Sequence, residues 1–102
     1  MGVEDSAARI FQFLEENKLA DDTIVVYAGD NGFFHGEHGL HGKMEAYEEA
    51  LRVPTMVRYP RLIQAGQKVS SFTANVDLAP SILDFCGAKI PASTICRRIP
   101  ER

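Results

Sequence analysis

The sequence predicts an α/β fold: a small partial sheet with flanking helices, and an irregular loop rich in glycine and histidine after the central strand. Two segments with helical periodicity and one continuous apolar, β-branched run between them carry this prediction. A chain of 102 residues supports one domain with a modest core, because small domains bury a lower fraction of their surface. We therefore expect a single sheet-containing domain.

The first predicted helix lies near the N-terminus. Its apolar residues recur at positions i, i+3, i+4 and i+7, the spacing of one helix face: Ala7, Ile10, Phe11 and Leu14. Asp5 or Ser6 is expected to cap the start of this helix, and Asn17 is expected to end it. An apolar face of this kind predicts packing against a sheet.

The predicted central strand spans residues 23–28, an apolar and β-branched run typical of a strand covered on both faces. The strand opens directly into a Gly-Asp-Asn-Gly segment. Glycine then recurs from Gly29 to Gly42, and each glycine inside a helix costs about 1 kcal/mol relative to alanine. We therefore predict an irregular loop over this stretch.

The elements after the loop are predicted to be short. Residues 44–51 fit a short helix or turn, residues 54–60 fit a strand bracketed by prolines, and residues 69–76 fit a short extended segment. The apolar residues expected in the core of this half are Met56, Phe72 and Leu78.

A second helix is predicted over residues 77–85. Asp77 is expected to cap its start, and Pro80 falls in the first turn, where a missing N–H costs little. Gly87 fits the far end of the helix.

Charge and hydropathy argue against two classes of partner. The net charge of −3 lacks the basic surface that nucleic-acid-binding proteins use. No apolar run approaches the roughly 20 residues needed to cross a bilayer, and the acidic N-terminus is unlike a signal peptide. We therefore expect no nucleic-acid partner and no membrane partner. The compartment stays open, because two cysteines at unrelated spacing imply neither a metal pattern nor a disulfide.

Three blocks of the sequence are distinctive: "GDNGFFHGEHGLHGK", "YEEALRVPTMVRYP" and "VDLAPSILDFCGAKIP". Together with the strand that precedes them, they resemble the sulfatase family of the alkaline phosphatase superfamily, in the latter part of its catalytic domain. The resemblance covers roughly residues 3–91. We therefore assign residues 1–93 to a partial sulfatase catalytic domain. Residues 94–102 depart from the family, and we expect them to form a divergent, disordered tail.

Asp30 and Asn31 are the candidate metal ligands. Ligands of α/β proteins bind where a strand ends and its loop begins, and carboxylate and amide oxygens suit calcium. Spacing alone favours a plain Asx-type turn at this Asp-Asn-Gly segment over a metal site. The resemblance favours the metal, because the family's Asp-Asn or Asp-His pair at this strand end holds a divalent cation, commonly calcium. The family's other carboxylate ligands lie in an upstream segment absent here, which predicts weak calcium binding.

Lys43 and His38 are the candidate substrate-binding residues. A lysine lies by default on the solvated surface, but the resemblance implies that Lys43 contacts the sulfate group. His38 lies in a Gly-Glu-His-Gly element that recurs in the family, where it would orient the loop or face the substrate. Zinc binding by the evenly spaced histidines is disfavoured, because a glycine follows each one and no cysteine lies at zinc-like spacing. We interpret His35 and His41 as polar residues of the loop and not as metal or substrate ligands.

Two adjacent carboxylates, Glu48 and Glu49, come shortly before Arg52. Neighbouring residues of a helix point in different directions, so these two are unsuited to act together as a catalytic acid pair. We predict instead an ion pair from one of them to Arg52.

The family's nucleophile motif is absent from the sequence. That motif, C/S-x-P-x-R, carries the residue that is oxidised to formylglycine, and neither Cys86 nor Cys96 has the required neighbours. The resemblance therefore implies a fragment of a sulfatase, a sulfuric ester hydrolase of sulfate esters, with no complete catalytic set and no activity alone.

Two alternatives to the sulfatase fragment stay open. One is a fragment of a phosphatase or phosphonate-ester hydrolase of the same superfamily, and the other is a noncatalytic stand-alone domain that binds an anion or metal or oligomerises. Because a partial sheet leaves a strand edge uncovered, we also expect a homo-oligomer.

Overall fold

The computed structural model describes residues 2–94 as a mixture of helices and short strands, which confirms the predicted α/β class. The elements follow one another as α1 (Val3–Glu16), β1 (Val25–Ala28), β2 (Phe34–His35), β3 (His41–Gly42), α2 (Glu48–Leu51), β4 (Thr55–Arg58) and α3 (Leu78–Phe85). Residues 95–102 lie outside the described residues, and so does nearly all of the predicted tail. Among the described helices, none combines the length and apolar character required to span a bilayer.

Helix α1 ends at Asn17 as predicted, but its start was predicted wrongly. Of its predicted apolar face, Ala7, Phe11 and Leu14 are buried or half-buried, whereas Ile10 is 57% exposed. The helix begins at Val3, and Gly2, in an extended conformation, is its cap. Asp5 stands inside the first turn, where its Oδ2 accepts a hydrogen bond from the Gly2 N–H at 3.0 Å. The acidic side chain therefore satisfies the helix start from within the first turn, as in a capping box.

The main sheet consists of β1 and β4. They pair antiparallel, with Val25 opposite Arg58 and Ala28 opposite Thr55. The prediction of a strand covered on both faces is wrong: β1 begins at Val25 and is half-buried at best. Its residues are apolar, yet within residues 2–94 no second layer covers both faces of this two-stranded sheet.

The core is small, as expected for this chain length. Its buried apolar side chains come from α1, β2, α2 and α3: Leu14, Phe34, Ala50 and Phe85. Met56 and Phe72, predicted as core, are 60% and 95% exposed, and Leu78 is only half-buried. These apolar positions match the pattern of a buried segment, but the described part of the chain is too small to enclose them.

The loop after β1 is more regular than predicted. It contains the antiparallel hairpin of β2 and β3, in which Phe34 pairs with Gly42 and His35 with His41. A 3-10 turn, Glu37–Gly39, connects the two strands. Glycine thus prevents a long helix here, as argued from the sequence, while leaving a short hairpin possible.

Asp77 stands at the start of helix α3 as predicted, but its side chain does not cap this helix: the Asp77 Oδ2 accepts a hydrogen bond from the Ala74 N–H at 3.0 Å instead. Asp77 precedes its first residue, and the Ser81 Oγ donates a hydrogen bond to the Asp77 carbonyl oxygen at 2.6 Å. Gly87 follows the helix with φ of 67°, the left-handed conformation that commonly ends a helix. No strand forms over the extended segment predicted at residues 69–76. Ala74 is extended, but a 3-10 turn begins at Asn75 and takes the last two residues of the segment.

Candidate functional site

The predicted metal ligands stand directly beyond the end of β1. The Gly29 N–H donates a hydrogen bond to the Pro54 carbonyl oxygen at 3.1 Å. This bond extends the antiparallel pairing of β1 and β4 by one residue beyond the end of β1. The Asn31 N–H then donates to the Asp30 Oδ1 at 2.9 Å. The bond of an Asx-type turn, to the backbone N–H two residues on, is not formed, because the Gly32 N–H donates to the Ala50 carbonyl oxygen at 2.8 Å. The second oxygen of the exposed Asp30 carboxylate is left for another partner.

Lys43 is brought to the same place by the hairpin. Because Phe34 pairs with Gly42, the residue after β3 returns beside the residue before β2. The Lys43 Nζ donates a hydrogen bond to the Asn31 Oδ1 at 3.2 Å. The candidate anion-binding group and a candidate cation-binding oxygen, 12 positions apart, thus converge at one point.

His38 is anchored to a different set of residues. Its Nε2 lies 3.3 Å from the Glu49 Oε1, and its ring stacks on Tyr47 with centroids 4.5 Å apart and 17° between the planes. Phe34 packs edge-on against both rings. Within the described part of the chain, no hydrogen bond joins His38 to Asp30, Asn31 or Lys43.

The predicted ion pair to Arg52 comes from Glu48. These two exposed side chains approach to 3.8 Å across one helical turn. Glu49 is half-buried and faces His38 instead. The two adjacent carboxylates therefore point in different directions, as the helical geometry required.

Asn75 is a residue of the site that the sequence did not indicate. Its Nδ2 donates hydrogen bonds to the carbonyl oxygens of Gly29 at 2.9 Å and Asp30 at 3.3 Å. These bonds fix the backbone that carries the candidate metal ligands. No local pattern marks Asn75, because its partners lie 45 and 46 positions away in the chain.

Glu37 stabilises the turn of the hairpin. Its Oε2 accepts a hydrogen bond from the His35 N–H at 2.6 Å. Hydrogen bonding to its own backbone N–H, followed by that to His35, lowers the pKa of the Glu37 carboxyl below its ordinary value. The side chain is therefore held in its charged form by the loop around it.

Asp30 and Asn31 offer the type of ligand atom that a hard cation prefers, but too few such atoms to complete its coordination. A carboxylate oxygen and an amide oxygen are ligands that calcium accepts, and calcium takes six to eight of them. Among the described residues, no group of three or more His, Cys, Asp or Glu side chains converges on one point. A complete site would need ligands beyond residues 2–94.

Comparison with known proteins identifies the family. The family model described as Sulfatase matches residues 2–88. N-acetylglucosamine-6-O-sulfatase of Bacteroides thetaiotaomicron is 44% identical over 92 residues, which cover 90% of this chain and 16% of that protein. The multifunctional alkaline phosphatase superfamily protein PehA of Trinickia caryophylli is 31% identical over 90 residues, which cover 87% and 18%.

The fold comparison agrees. The solved structure of BT4656 in complex with its substrate D-glucosamine-2-N,6-O-disulfate superposes with a TM-score of 0.88 at 42% identity, over 94% of this chain and 19% of that one. The chain thus spans less than one fifth of the length of these proteins. Because the family model covers nearly all of its length, the chain belongs to the sulfatase family, within the alkaline phosphatase superfamily.

Proposed function

We propose that this chain forms part of the sulfate-ester site of a sulfatase, carrying two ligands of a divalent cation and one group that binds the sulfate. The observation that carries the proposal is the 3.2 Å contact between the Lys43 Nζ and the Asn31 Oδ1. An ammonium group next to a residue that binds a cation would meet electrostatic repulsion unless an anion lay between the two positive charges. A bound anion there is attracted to both of them. A sulfated substrate bound to BT4656 supports a sulfate ester as that anion.

Each of the three residues has a separate role in this proposal. Asp30 and Asn31 would hold calcium through a carboxylate and an amide oxygen, and the bound cation would supply positive charge to the sulfate oxygens. Lys43, oriented by its hydrogen bond to Asn31, would supply a compact positive charge to the same oxygens. A preorganised charge of this kind lowers the barrier where negative charge develops in the transition state.

The chain on its own is proposed to bind without turnover. Covalent sulfate-ester hydrolysis needs an activated nucleophile, and the C/S-x-P-x-R sequence that supplies formylglycine in the family does not occur in these 102 residues. Removing a nucleophile leaves only the contribution of binding and electrostatics, several orders of magnitude below the intact enzyme.

Calorimetry of the purified chain with calcium and with sodium sulfate tests the proposal. We expect calcium to bind with a dissociation constant of roughly 10⁻⁴ to 10⁻³ M, the range of low-charge sites, and Asp30→Ala to abolish this binding. Lys43→Ala should remove sulfate binding, while Lys68→Ala, an exposed lysine outside the site, should not. Micromolar calcium binding that survives Asp30→Ala would overturn the proposed metal site.

Activity provides the second test. We expect no turnover of an aryl sulfate such as nitrocatechol sulfate above the rate without protein, with or without calcium. Turnover that is lost in Lys43→Ala or Asp30→Ala would overturn the proposal that the chain is inactive alone.

Phosphate- or phosphonate-ester hydrolysis is the second candidate function, favoured by the 31% identity to PehA, a multifunctional member of the superfamily. Phosphate and sulfate are both tetrahedral anions, so Lys43 suits either one. Competition between the two in the calorimeter separates the candidates: preference for phosphate favours the second, and preference for sulfate favours the first. The same measurements also address the third alternative, a noncatalytic domain that binds an anion. Sulfate binding that needs neither Asp30 nor Lys43 would favour it.

We further propose that the chain self-associates into a homo-oligomer. Tyr27 and Met56 stand opposite each other on one face of the β1–β4 sheet, and they are 43% and 60% exposed. Within residues 2–94 each of these strands has one strand partner, which leaves its outer edge unpaired. Exposed apolar faces and open edges of this kind favour pairing with a second copy.

A further inference from the structure

The strongest unexplained feature outside the Asp30, Asn31 and Lys43 site is the cluster around His38. A left-handed backbone, with φ of 55°, sets His38 apart from the other histidines of the hairpin loop. One face of its ring stacks on Tyr47, and Phe34, which is 1% exposed, packs edge-on against the ring. Non-glycine residues rarely adopt this conformation unless their surroundings enforce it.

Glu49 is held firmly enough to direct the imidazole. The Gly32 N–H donates a hydrogen bond to the Ala50 carbonyl oxygen at 2.8 Å, which ties helix α2 to the loop that carries Asn31. Gly32 also packs so closely that a β-carbon there would lie 1.8 Å from the Glu49 carbonyl oxygen. The backbone of Glu49 is therefore fixed against the segment that bears the candidate metal ligands.

The two oxygens of the Glu49 carboxylate have different surroundings. Oε1 faces the His38 Nε2 at 3.3 Å, whereas Oε2 is buried with no hydrogen-bond partner among the described residues. A buried, unpaired carboxylate oxygen is costly, so the bond from His38 is the main compensation that the carboxylate receives here. That bond requires a proton on Nε2, because a carboxylate only accepts.

A neutral imidazole that donates through one nitrogen accepts through the other. We infer that Glu49 is a positioning residue that fixes His38 with Nε2 protonated, so that Nδ1 accepts a hydrogen bond from a hydroxyl or N–H on the alcohol part of a bound sulfate ester. His38 has a side chain that is 47% exposed, and its Nδ1 has no hydrogen-bond partner within the described residues. Sulfate oxygens only accept hydrogen bonds, so they are the wrong partner for this nitrogen.

This inference rests on the proposed function, because it divides recognition of one substrate between two groups. Lys43 binds the sulfate, and His38 binds a donor on the alcohol, such as the hydroxyl or amine groups of an amino sugar. The division predicts that His38 contributes to the affinity for a sulfated sugar and contributes nothing to the affinity for inorganic sulfate.

Nitrogen-15 NMR of the imidazole rings tests the positioning role directly. In a buffer alkaline enough to keep imidazoles neutral, we expect the His38 signals of the purified chain to show protonated Nε2 and unprotonated Nδ1. Glu49→Gln should give a mixture of the two tautomers, because an amide can donate as well as accept. Glu48→Gln, which changes the neighbouring carboxylate that pairs with Arg52, should leave the tautomer unchanged.

Binding of glucosamine 6-sulfate, compared with sodium sulfate, tests the recognition role. We expect glucosamine 6-sulfate to bind about two- to tenfold more tightly than sulfate, the value of one hydrogen bond. His38→Ala should remove this advantage and leave sulfate binding intact, and Glu49→Gln should reduce it.

The two possible failures are distinguishable. Binding of both probes that is unaffected by Lys43→Ala would contradict the proposed function. Binding that depends on Lys43 but shows the same advantage for the sugar in wild type, His38→Ala and Glu49→Gln would overturn the inference alone. A His38 ring protonated on Nδ1 in the wild-type chain would also overturn it.

Discussion

Gly32 shows how a single residue can hold the candidate site together. Its N–H bonds to Ala50 at 2.8 Å, and its α-carbon lies against the backbone of Glu49. Side chains are excluded at this position by contact with the main chain itself, which cannot move aside as a flexible side chain can. The loop bearing Asn31 and the turn of helix α2 can therefore pack this closely only around a glycine.

Gly32→Ala should be strongly destabilising. The added β-carbon would meet the Glu49 carbonyl oxygen at 1.8 Å, so the loop and helix α2 must separate. We expect a loss of about 3 kcal/mol, the upper end of the cost of overpacking, measured by urea denaturation. Gly2→Ala is the control, because no atom within residues 2–94 lies within 4 Å of a β-carbon there. Equal stability of the two variants would contradict the close packing.

Glu37 makes the hairpin turn sensitive to acid. Its lowered pKa comes first from its own backbone N–H and then from that of His35. A lowered pKa in the folded chain means that the bonds are fully present above the ordinary value of 4.5 and are lost as pH falls through the lowered pKa. We expect the His35 amide proton signal to shift in that acidic range, and Glu37→Gln to remove the shift. Glu45→Gln should leave it, and an unchanged signal in wild type would disprove the coupling.

At the scale of elements, the sequence predicts what depends on local patterns and misses what depends on distant partners. Helices α1 and α3, the end of α3 at Gly87 and the strand before Asp30 follow from periodicity and from turn residues, which act within a few positions. The convergence of Lys43 on Asn31 needed the register of the β2–β3 hairpin. Asn75 could not be found, because its bonds to the end of β1 cross 45 and 46 positions without a local signal.

The end of helix α3 offers a test of one local signal. Gly87 has φ of 67°, and no atom of the described residues lies within 4 Å of a β-carbon built on it, so backbone strain is what opposes a side chain there. We expect Gly87→Ala to lower the free energy of unfolding by about 1 kcal/mol. Gly87→Asn should cost less, because asparagine tolerates the left-handed conformation. Equal losses for alanine and asparagine would show that the helix does not end in this way.

At the scale of the whole molecule, apolar residues outnumber the places available to bury them. Within residues 2–94 the buried apolar side chains are few, namely Leu14, Phe34, Ala50, Pro80 and Phe85, while Met44 and Phe72 are 91% and 95% exposed. The chain matches relatives that are about five times as long, since the match covers 16–19% of their lengths. The pattern of apolar residues therefore suits a larger structure better than the described part alone, which explains why Met56 and Phe72 were wrongly predicted as core.

Self-association is the expected consequence of these uncovered apolar surfaces. Light scattering after size-exclusion chromatography should give a mass above that of the monomer, rising with protein concentration as a second copy covers the sheet face of Tyr27 and Met56. Met56→Lys should shift the mass toward the monomer, because burying an unpaired ammonium opposes the contact. Met44→Lys is the matched control, since Met44 lies outside the sheet and is already 91% exposed. A monomer mass at every concentration would contradict association, and an equal effect of both variants would place the contact elsewhere.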